Sequence, residues 1–198
     1  MCKYTIIKKP DILDWSNVPK LSIDYLLWSD PVDIKAEAAL CYDDDGLYVY
    51  LTAVEENIRA ENSGKLGIPC EDSCLEFFFS PVPGDKRYIN IELNPNGCLY
   101  LGFGSGRHDH VRLITRTDPI CAQPERTANG WQVTYTVPWT LVKLFFPNFK
   151  AESGGTMHAN CYKCGDLTVQ PHYLASTPIP LENPEFHCPE HFGLMQFE

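Results

Sequence analysis

The sequence lacks a long apolar segment and an excess of positive charge, and each absence excludes a class of protein. No run of about 18 apolar residues occurs in the 198-residue chain, so no segment has the composition of a membrane-spanning helix. Lys and Arg are fewer than Asp and Glu, and the formal net charge is -10 at pH 7. Because such a surface repels phosphate groups, we expect neither a nucleic-acid partner nor a membrane partner.

The first ten residues also lack the apolar stretch and the small-residue cleavage site of a secretory signal peptide. The nine cysteines are odd in number, and several, including Cys41, Cys74 and Cys98, lie inside apolar strand-like patterns. Cysteines in such positions behave as small buried hydrophobic residues. These features predict a cytoplasmic protein whose thiols are free, without a disulfide framework.

Repeats, linkers and low-complexity stretches are also missing, so we expect one domain over residues 1–198. Strand-like runs recur instead, at about residues 36–42, 47–54, 73–80, 86–94, 98–103, 111–116, 131–137, 157–164 and 192–197. Turns rich in Asp, Asn, Gly and Pro separate them and are typical of antiparallel connections. Only residues 138–144 predict a helix, because Pro138 suits a first helical position. The pattern indicates an all-β fold, an antiparallel β-sandwich of the jelly-roll type with one short helix.

The strand predicted at residues 86–94 carries the clearest functional signal. Its apolar residues, Ile89, Ile91 and Leu93, should face the core because side chains alternate between the two faces of a strand. The alternate positions hold an aromatic ring, two amides and a carboxylate, namely Tyr88, Asn90, Asn94 and Glu92. Such a row can hydrogen-bond several hydroxyls of one polar ligand, but it also fits an ordinary solvent-exposed face.

Glu76 interrupts the apolar run of residues 74–79, where a carboxylate is costly unless it is hydrogen-bonded or faces a cavity. We expect Glu76 and Glu92 to lie on one sheet face with Asn90, lining a depression. Paired carboxylates also serve glycoside hydrolases, and a salt-bridged structural glutamate is the remaining alternative. The sequence does not decide among these three interpretations.

Metal ligands are present, but their spacing does not favour a metal site. Cys161 and Cys164 form a CxxC in a predicted strand, where residues three apart face opposite sides. Zinc needs four converging ligands, and a redox CxxC begins a helix, so we expect neither. The acidic residues 43–45 fit a hairpin turn better than a calcium loop, although a structural calcium ion stays an alternative. No nucleophile triad order, P-loop or dinucleotide fingerprint occurs, and we expect no cofactor.

Several short motifs, in their order along the chain, resemble those of the family 9 carbohydrate-binding modules and their stand-alone bacterial relatives. They lie at residues 45–49, 71–79, 130–139, 160–166 and 186–193, and the resemblance covers about residues 11–197. The resemblance implies a β-sandwich that binds a saccharide, often at a chain end, without cleaving it. Carbohydrate metabolism is the process that this implies.

The resemblance also implies roles for individual residues. Glu76 is similar to the sugar-binding glutamate of the family, and Asn90 and Glu92 are similar to the polar pair on the next strand. Asn160 falls at the start of a later matching strand. These four side chains are therefore expected to hydrogen-bond the saccharide.

Aromatic rings that stack on the sugar are the second part of the expected site. Phe186 lies where one ring-sandwiching tryptophan of the family stands, and Tyr88 is a second candidate for stacking. Residues 68–71, where the other tryptophan is expected, contain no aromatic residue, and Ser176 replaces a further tryptophan. A module that has lost its ligand site is therefore a third alternative, beside a saccharide-binding protein and a hydrolase.

Overall fold

Strands dominate the chain, as the alternating patterns predict. A computed structural model of the protein describes residues 2–198, with side chains from residue 4 onward. Within that range, the elements in chain order are β1 (Cys2–Lys8), β2 (Leu21–Ile23), β3 (Tyr25–Leu27), β4 (Lys35–Tyr42), β5 (Gly46–Val54), β6 (Cys74–Ser80), β7 (Tyr88–Leu93), β8 (Leu99–Gly106), β9 (Asp109–Arg112), β10 (Gln123–Thr127), β11 (Gly130–Pro138), α1 (Trp139–Phe145), β12 (Thr156–Cys164), β13 (Tyr173–Ala175) and β14 (Gly193–Phe197). The all-β prediction with one short helix is confirmed.

The strands form two facing sheets that are joined along one side by β1. The order is β10-β11-β5-β4 in one sheet and β14-β12-β6-β7-β8-β9 in the other, and β1 pairs in parallel with both β4 and β14. The other pairings among the described strands are antiparallel, including β2 with β4 and β13 with β12 and β3. The expected antiparallel sandwich is therefore correct except at β1, which makes the sheet mixed.

The main core lies between the two sheets and is built from one face of each strand. Val49 and Leu51 of β5 and Ile89 and Ile91 of β7 are fully buried there, around the buried ring of Trp131. Burying each large apolar side chain contributes about 1.5–3 kcal/mol to folding. The alternation predicted for residues 86–94 is confirmed on this side of the strand.

The opposite face of β6, β7 and β12 is also buried, which the alternation alone does not predict. A second apolar cluster lies there and includes Phe78, Tyr88 and Tyr162 of the sheet. It also includes Phe186 and Phe192, which belong to the irregular segment that ends just before β14. This segment, residues 176–192, lies over the sheet. The interpretation of this face as an ordinary solvent-exposed surface is therefore wrong, and its polar side chains are held in a protected environment.

The prediction missed five strands, and several boundaries differ from the predicted ones. Three of the missed strands, β2, β3 and β13, have only three residues each, which is too short to show a period. A fourth, β10, is polar, largely exposed and contains Pro124, as sheet-edge strands do; the fifth is β1. Strand β9 ends at Arg112, before most of the predicted residues 111–116. The helix starts at Trp139, with Pro138 as its N-cap.

The acidic turn between β4 and β5 forms the expected hairpin. One carboxylate oxygen of Asp43 accepts hydrogen bonds from the backbone nitrogens of Asp45 and Gly46, at 2.9 and 3.2 Å. The other lies 2.8 Å from Lys9 Nζ. These partners explain the turn without a metal ion, and a structural calcium ion stays an untested alternative.

Candidate functional site

A cavity of about 260 Å³ opens on the second face of the sheet, away from the main core. Its floor consists of Glu76 and Phe78 from β6, Glu92 from β7 and Cys164 at the end of β12. Residues 184–187 of the irregular segment form part of its wall. The cavity is smaller than the roughly 300–1,000 Å³ of pockets for drug-sized ligands, so it suits a small ligand.

The two floor glutamates are direct neighbours across the β6–β7 pair. Glu76 lies opposite Glu92 in the register, so both side chains project from the same face, as expected. They are only 2% and 6% exposed. Within residues 2–198, neither carboxylate forms a salt bridge. The alternative that they are salt-bridged structural glutamates is therefore wrong.

Burial and mutual repulsion change the protonation of this pair. Burial raises the pKa of Glu76 from 4.5 to about 7. Burial, and then the charge of Glu76, raise the pKa of Glu92 well above its usual range. Because two like charges in one buried site disfavour each other, the pair retains a proton near neutral pH. The floor can thus donate one hydrogen bond as well as accept several.

A chain of hydrogen bonds fixes the Glu92 carboxylate from behind. Asn90 Nδ2 donates to Glu92 Oε1 at 2.8 Å, and Asn90 Oδ1 lies 2.5 Å from His110 Nε2. The oxygen of Asn90 can only accept, so His110 Nε2 carries the proton. A Cβ atom at Gly102 would overlap both Asn90 Oδ1 and His110 Nε2, so glycine is required there. This arrangement leaves the second oxygen of Glu92 for a ligand.

Aromatic rings form one wall of the cavity. Trp28 and Phe186 have ring centroids 5.7 Å apart, and Tyr173 lies 6.1 Å from each of them. One face of Phe186 is stacked on Tyr162 at 4.0 Å, so Phe186 has little surface left for a ligand. Trp28 and Tyr173 are only half-buried. The wall therefore offers Trp28 and Tyr173 as accessible rings, and Trp28 supplies a tryptophan in place of the one missing from residues 68–71.

Trp28 adopts a backbone conformation that is unusual for a residue with a side chain. Its φ angle of 45° lies in the left-handed region, which costs a non-glycine residue of order 1–3 kcal/mol. The indole Nε1 donates to the carbonyl oxygen of Leu181 at 2.7 Å. This bond ties the ring to the irregular segment. Strain maintained in this way is a common feature of ligand-binding sites.

Acidic groups outnumber basic ones around the cavity. Arg107, in the turn between β8 and β9, forms an ion pair with Glu185 at 2.8 Å. Asp166 also lines the cavity, and burial raises the pKa of its carboxyl. Burial lowers the pKa of His187 to about 4, so this side chain is neutral at pH 7. The cavity therefore carries a negative charge on balance.

The six residues expected to bind the ligand fall into two groups. Glu76, Glu92 and Phe186 line the cavity, whereas Asn90 lies behind Glu92 and Tyr88 lies behind His187, with 2.6 Å between its hydroxyl and His187 Nδ1. Asn160 does not reach the cavity.

The amide of Asn160 is fully used in hydrogen bonds with residues 176–177. Its oxygen accepts from Ser176 Oγ and Thr177 N, and its nitrogen donates to the Thr177 carbonyl, at 2.8, 2.9 and 3.0 Å. This places Asn160 where the irregular segment leaves the sheet, so it anchors the cover of the site.

Among the lining residues that sequence reasoning missed are four with polar or aromatic side chains: Trp28, Arg107, Asp166 and Tyr173. None of them lies in a strand predicted from alternation, and three come from turns or loops. A signal was available for Asp166 and Tyr173, which lie in the long irregular stretch of residues 165–191, a feature typical of functional loops. Trp28 and Arg107 lie outside that stretch and gave no such signal.

The family model for carbohydrate-binding family 9 matches residues 7–197 of the chain. Among solved structures, a protein from Bacteroides uniformis ATCC 8492, for which carbohydrate binding has been suggested, has a TM-score of 0.81 and 28% identity. The match covers 98% of this chain and 99% of that one. No curated protein matches the chain.

A carbohydrate-binding module of family 9 from Caldicellulosiruptor kristjanssonii has the same fold, in complexes with cellotriose and with glucose. Both structures have a TM-score of 0.68, with 14% and 13% identity. They cover 98% of this chain, which in turn covers 93% and 94% of theirs. At this identity the likeness extends to the fold.

Proposed function

The chain belongs to carbohydrate-binding family 9, and from this we propose that its cavity binds one end of a small saccharide without cleaving it. The observation that carries the proposal is the joint presence of two buried carboxylates on the floor and aromatic rings on the wall. A sugar residue presents hydroxyls at its edge and an apolar face, so it requires both kinds of contact. Relatives of the same fold are complexed with glucose and cellotriose.

Glu76 and Glu92 have the chemistry to bind sugar hydroxyls. A carboxylate accepts two or more hydrogen bonds, and charge-assisted hydrogen bonds are about twice as strong as neutral ones. The proton retained between them allows the floor to donate to a ring or hydroxyl oxygen as well. Trp28 is the ring we assign to stacking against the apolar face of the sugar, since Phe186 is mostly covered by Tyr162.

The placement of the two glutamates favours binding over hydrolysis. Hydrolases place their two carboxyl groups on either side of the scissile bond. Glu76 and Glu92 are instead side by side on one floor, as cross-strand neighbours. The open, polar cavity also argues against a module without a ligand site, which would have a filled apolar face.

The charge of the cavity indicates which saccharides it accepts. Glu76, Glu92 and Asp166 face the same space as the ion pair of Arg107 and Glu185. A sugar carboxylate would add a further negative charge to this buried site. We therefore infer selectivity for neutral saccharides over uronic acids.

We further propose that the protein acts in the cytoplasm of a bacterium, in carbohydrate metabolism. The eight cysteines whose side chains are described are free, which suits a reducing compartment, and the related structures are bacterial. The side chain of Cys2 lies outside the described residues. A separate finding is that no helix within residues 2–198 has the length and apolar character needed to cross a membrane.

Isothermal calorimetry with cellotriose, glucose and glucuronic acid tests the proposed function. We expect saturable binding of a neutral sugar, weaker binding of glucuronic acid, and no product release in a reducing-sugar assay. Trp28→Ala should weaken binding about tenfold or more, because stacking on an aromatic face is lost.

Trp15→Ala is the matched control, since Trp15 is also half-buried and stacked, on Tyr50 at 5.5 Å, but belongs to the other side of the molecule. Equal loss in both variants would refute the assignment of Trp28. Product release by the wild type, abolished by Glu76→Gln, would establish a hydrolase instead.

A further inference from the structure

Strand register brings two thiols and one carboxylate together under the cavity. Cys74 and Glu76 lie two residues apart on β6, so both project from the same face. Cys164 lies directly opposite Cys74 in the β6–β12 pair. The two Sγ atoms and a Glu76 carboxylate oxygen all lie within 4.8 Å of one another, and Cys164 Sγ is 2.9 Å from Glu76 Oε1.

The pairing differs from the one that the CxxC motif offers. Cys161 is buried in the main core between the sheets, whereas Cys164 belongs to the cluster on the opposite face, as strand geometry predicts. The sequence therefore hides the relevant pair, because Cys74 and Cys164 are 90 positions apart in the chain and meet only through the sheet.

A positive charge beside Glu76 and Glu92 would stabilise these two buried carboxylates. Glu76 and Glu92 are two neighbouring buried carboxylates, and within the described part of the chain neither has a Lys, Arg or His partner in an ion pair. Buried carboxylates are usually paired with a cation or coordinate a metal ion. Lys163, adjacent in sequence to Cys164, has its amine next to Glu55 instead, at 3.2 Å.

The geometry and the atom types match one class of cation. Zinc takes thiolate, imidazole and carboxylate ligands, with Zn–S of about 2.3 Å. A tetrahedral site with these bonds separates its two sulfur atoms by about 3.8 Å and a sulfur from a carboxylate oxygen by about 3.5 Å. The cluster, within 4.8 Å, is close to this size, and Cys164 Sγ and Glu76 Oε1, 2.9 Å apart, would separate slightly as the metal replaces the thiol proton between them. Calcium and magnesium, by contrast, prefer oxygen ligands throughout.

We propose that Cys74, Cys164 and Glu76 bind a thiophilic divalent cation, with zinc as the metal that these ligands favour. Glu76 and Cys164 also line the cavity, so a water molecule or a ligand atom in the cavity is available as the fourth ligand. The proposal replaces the expectation of unliganded cysteines. It is independent of the proposed function, although the two share Glu76.

Cobalt titration tests this proposal, because cobalt bound to thiolates absorbs in the near ultraviolet. The full-length protein is reduced, stripped with a chelator and titrated with Co²⁺, and zinc is then added to displace it. We expect one equivalent of cobalt with a thiolate charge-transfer band, and its loss on addition of zinc. No saturable band in the wild type would overturn the proposal.

Variants locate the site and separate it from saccharide binding. Cys74→Ser and Cys164→Ser should each weaken metal binding by at least about tenfold, since even the loss of a partner outside the coordination sphere usually costs 10–100-fold. Cys161→Ser is the matched control, because Cys161 is equally buried on the same strand but faces the main core. An equal loss in this control would assign the metal to other thiols and refute the site.

Cys74 does not line the cavity, so metal-free Cys74→Ser should still bind a saccharide if the proposed function is correct. Should the Cys74→Ser variant fail to fold, Cys74→Ala provides the second test of metal affinity, because it removes the thiol from a buried apolar position that does not line the cavity. Failure of metal binding and failure of saccharide binding thus give different results in the same set of proteins.

Discussion

Replacing Glu76 with glutamine should stabilise the metal-free protein near pH 7 and weaken its binding of a saccharide. Burial raises the pKa of Glu76 from 4.5 to about 7, and Glu92 lies directly opposite. The folded state therefore binds more protons than the unfolded state between these two pH values. The contribution of this group to stability is full below pH 4.5 and decreases as the pH rises towards 7.

The size of the effect follows from the shift. A shift of one pKa unit corresponds to 1.36 kcal/mol, so at pH 7 the buried carboxyl destabilises the fold by about 3 kcal/mol. Glutamine keeps the shape and the oxygen that accepts from Cys164, and its amide can donate to Glu92. Recovering about 3 kcal/mol would raise the Tm by about 6–12 °C in a protein of this size.

Two histidines act in the opposite direction over the same pH range, so the wild-type profile alone is uninformative. Burial lowers the pKa of His172 and His187 to about 4, and each of them reduces stability as the pH falls from 6.5 towards 4. The difference between wild type and Glu76→Gln removes their contribution. Denaturant unfolding with a chelator present should show a difference near zero at about pH 4.5 that grows to about 3 kcal/mol at pH 7.

The control for this comparison is Glu37→Gln, an exposed glutamate of β4, which should change the free energy of unfolding only slightly because its side chain is not buried. A Glu76→Gln protein that is less stable than the wild type at pH 7, or a difference independent of pH, would refute the reasoning. Saccharide affinity should fall by about 10- to 150-fold, because a hydrogen bond to a charged group contributes about 1.5–3 kcal/mol.

Two further predictions concern residues behind the cavity. Asn160→Ala should lower the free energy of unfolding by about 2–4 kcal/mol, because it removes three hydrogen bonds made by a fully buried side chain, and denaturant unfolding measures this. An unchanged stability would show that Asn160 does not anchor the irregular segment. His110→Ala should weaken saccharide binding in the wild type but weaken it little further in a Glu92→Gln background, since His110 acts by positioning the Glu92 carboxylate; additive losses in calorimetry would contradict this.

The alternation of residues 86–94 was enough to predict which side chains share a face. Side chains follow a period of two in any strand, so the parity of Ile89, Ile91, Asn90 and Glu92 was determined locally. The pairing of Glu76 with Glu92 followed from the same parity in two neighbouring strands. Alternation does not predict whether a face of the sheet is covered, because that depends on where residues 176–192 pack in the folded protein.

The remaining parts of the site come from residues that have no local pattern. Trp28 reaches the cavity because β3 pairs with β13, and this pairing joins two three-residue strands far apart in the chain. Cys74 and Cys164 meet only through the β6–β12 register. The CxxC spacing drew attention to Cys161, although strand geometry already placed it on the other face. Long-range pairing therefore decides which aromatic ring and which thiols enter the site.

The segment of residues 176–192 that lies over the sheet explains why the site can bind a ligand and also lowers the stability of the fold. Residues 176–192 bury a face that carries two carboxylates, and removing them from water raises their pKa and destabilises the fold. The same cover supplies Phe186, and its Leu181 carbonyl restrains Trp28 in a strained conformation. A saccharide hydroxyl or a cation that satisfies Glu76 and Glu92 recovers part of this cost on binding. The cost of burying these two carboxylates on folding and the affinity of the cavity for a ligand thus have one physical origin, their desolvation.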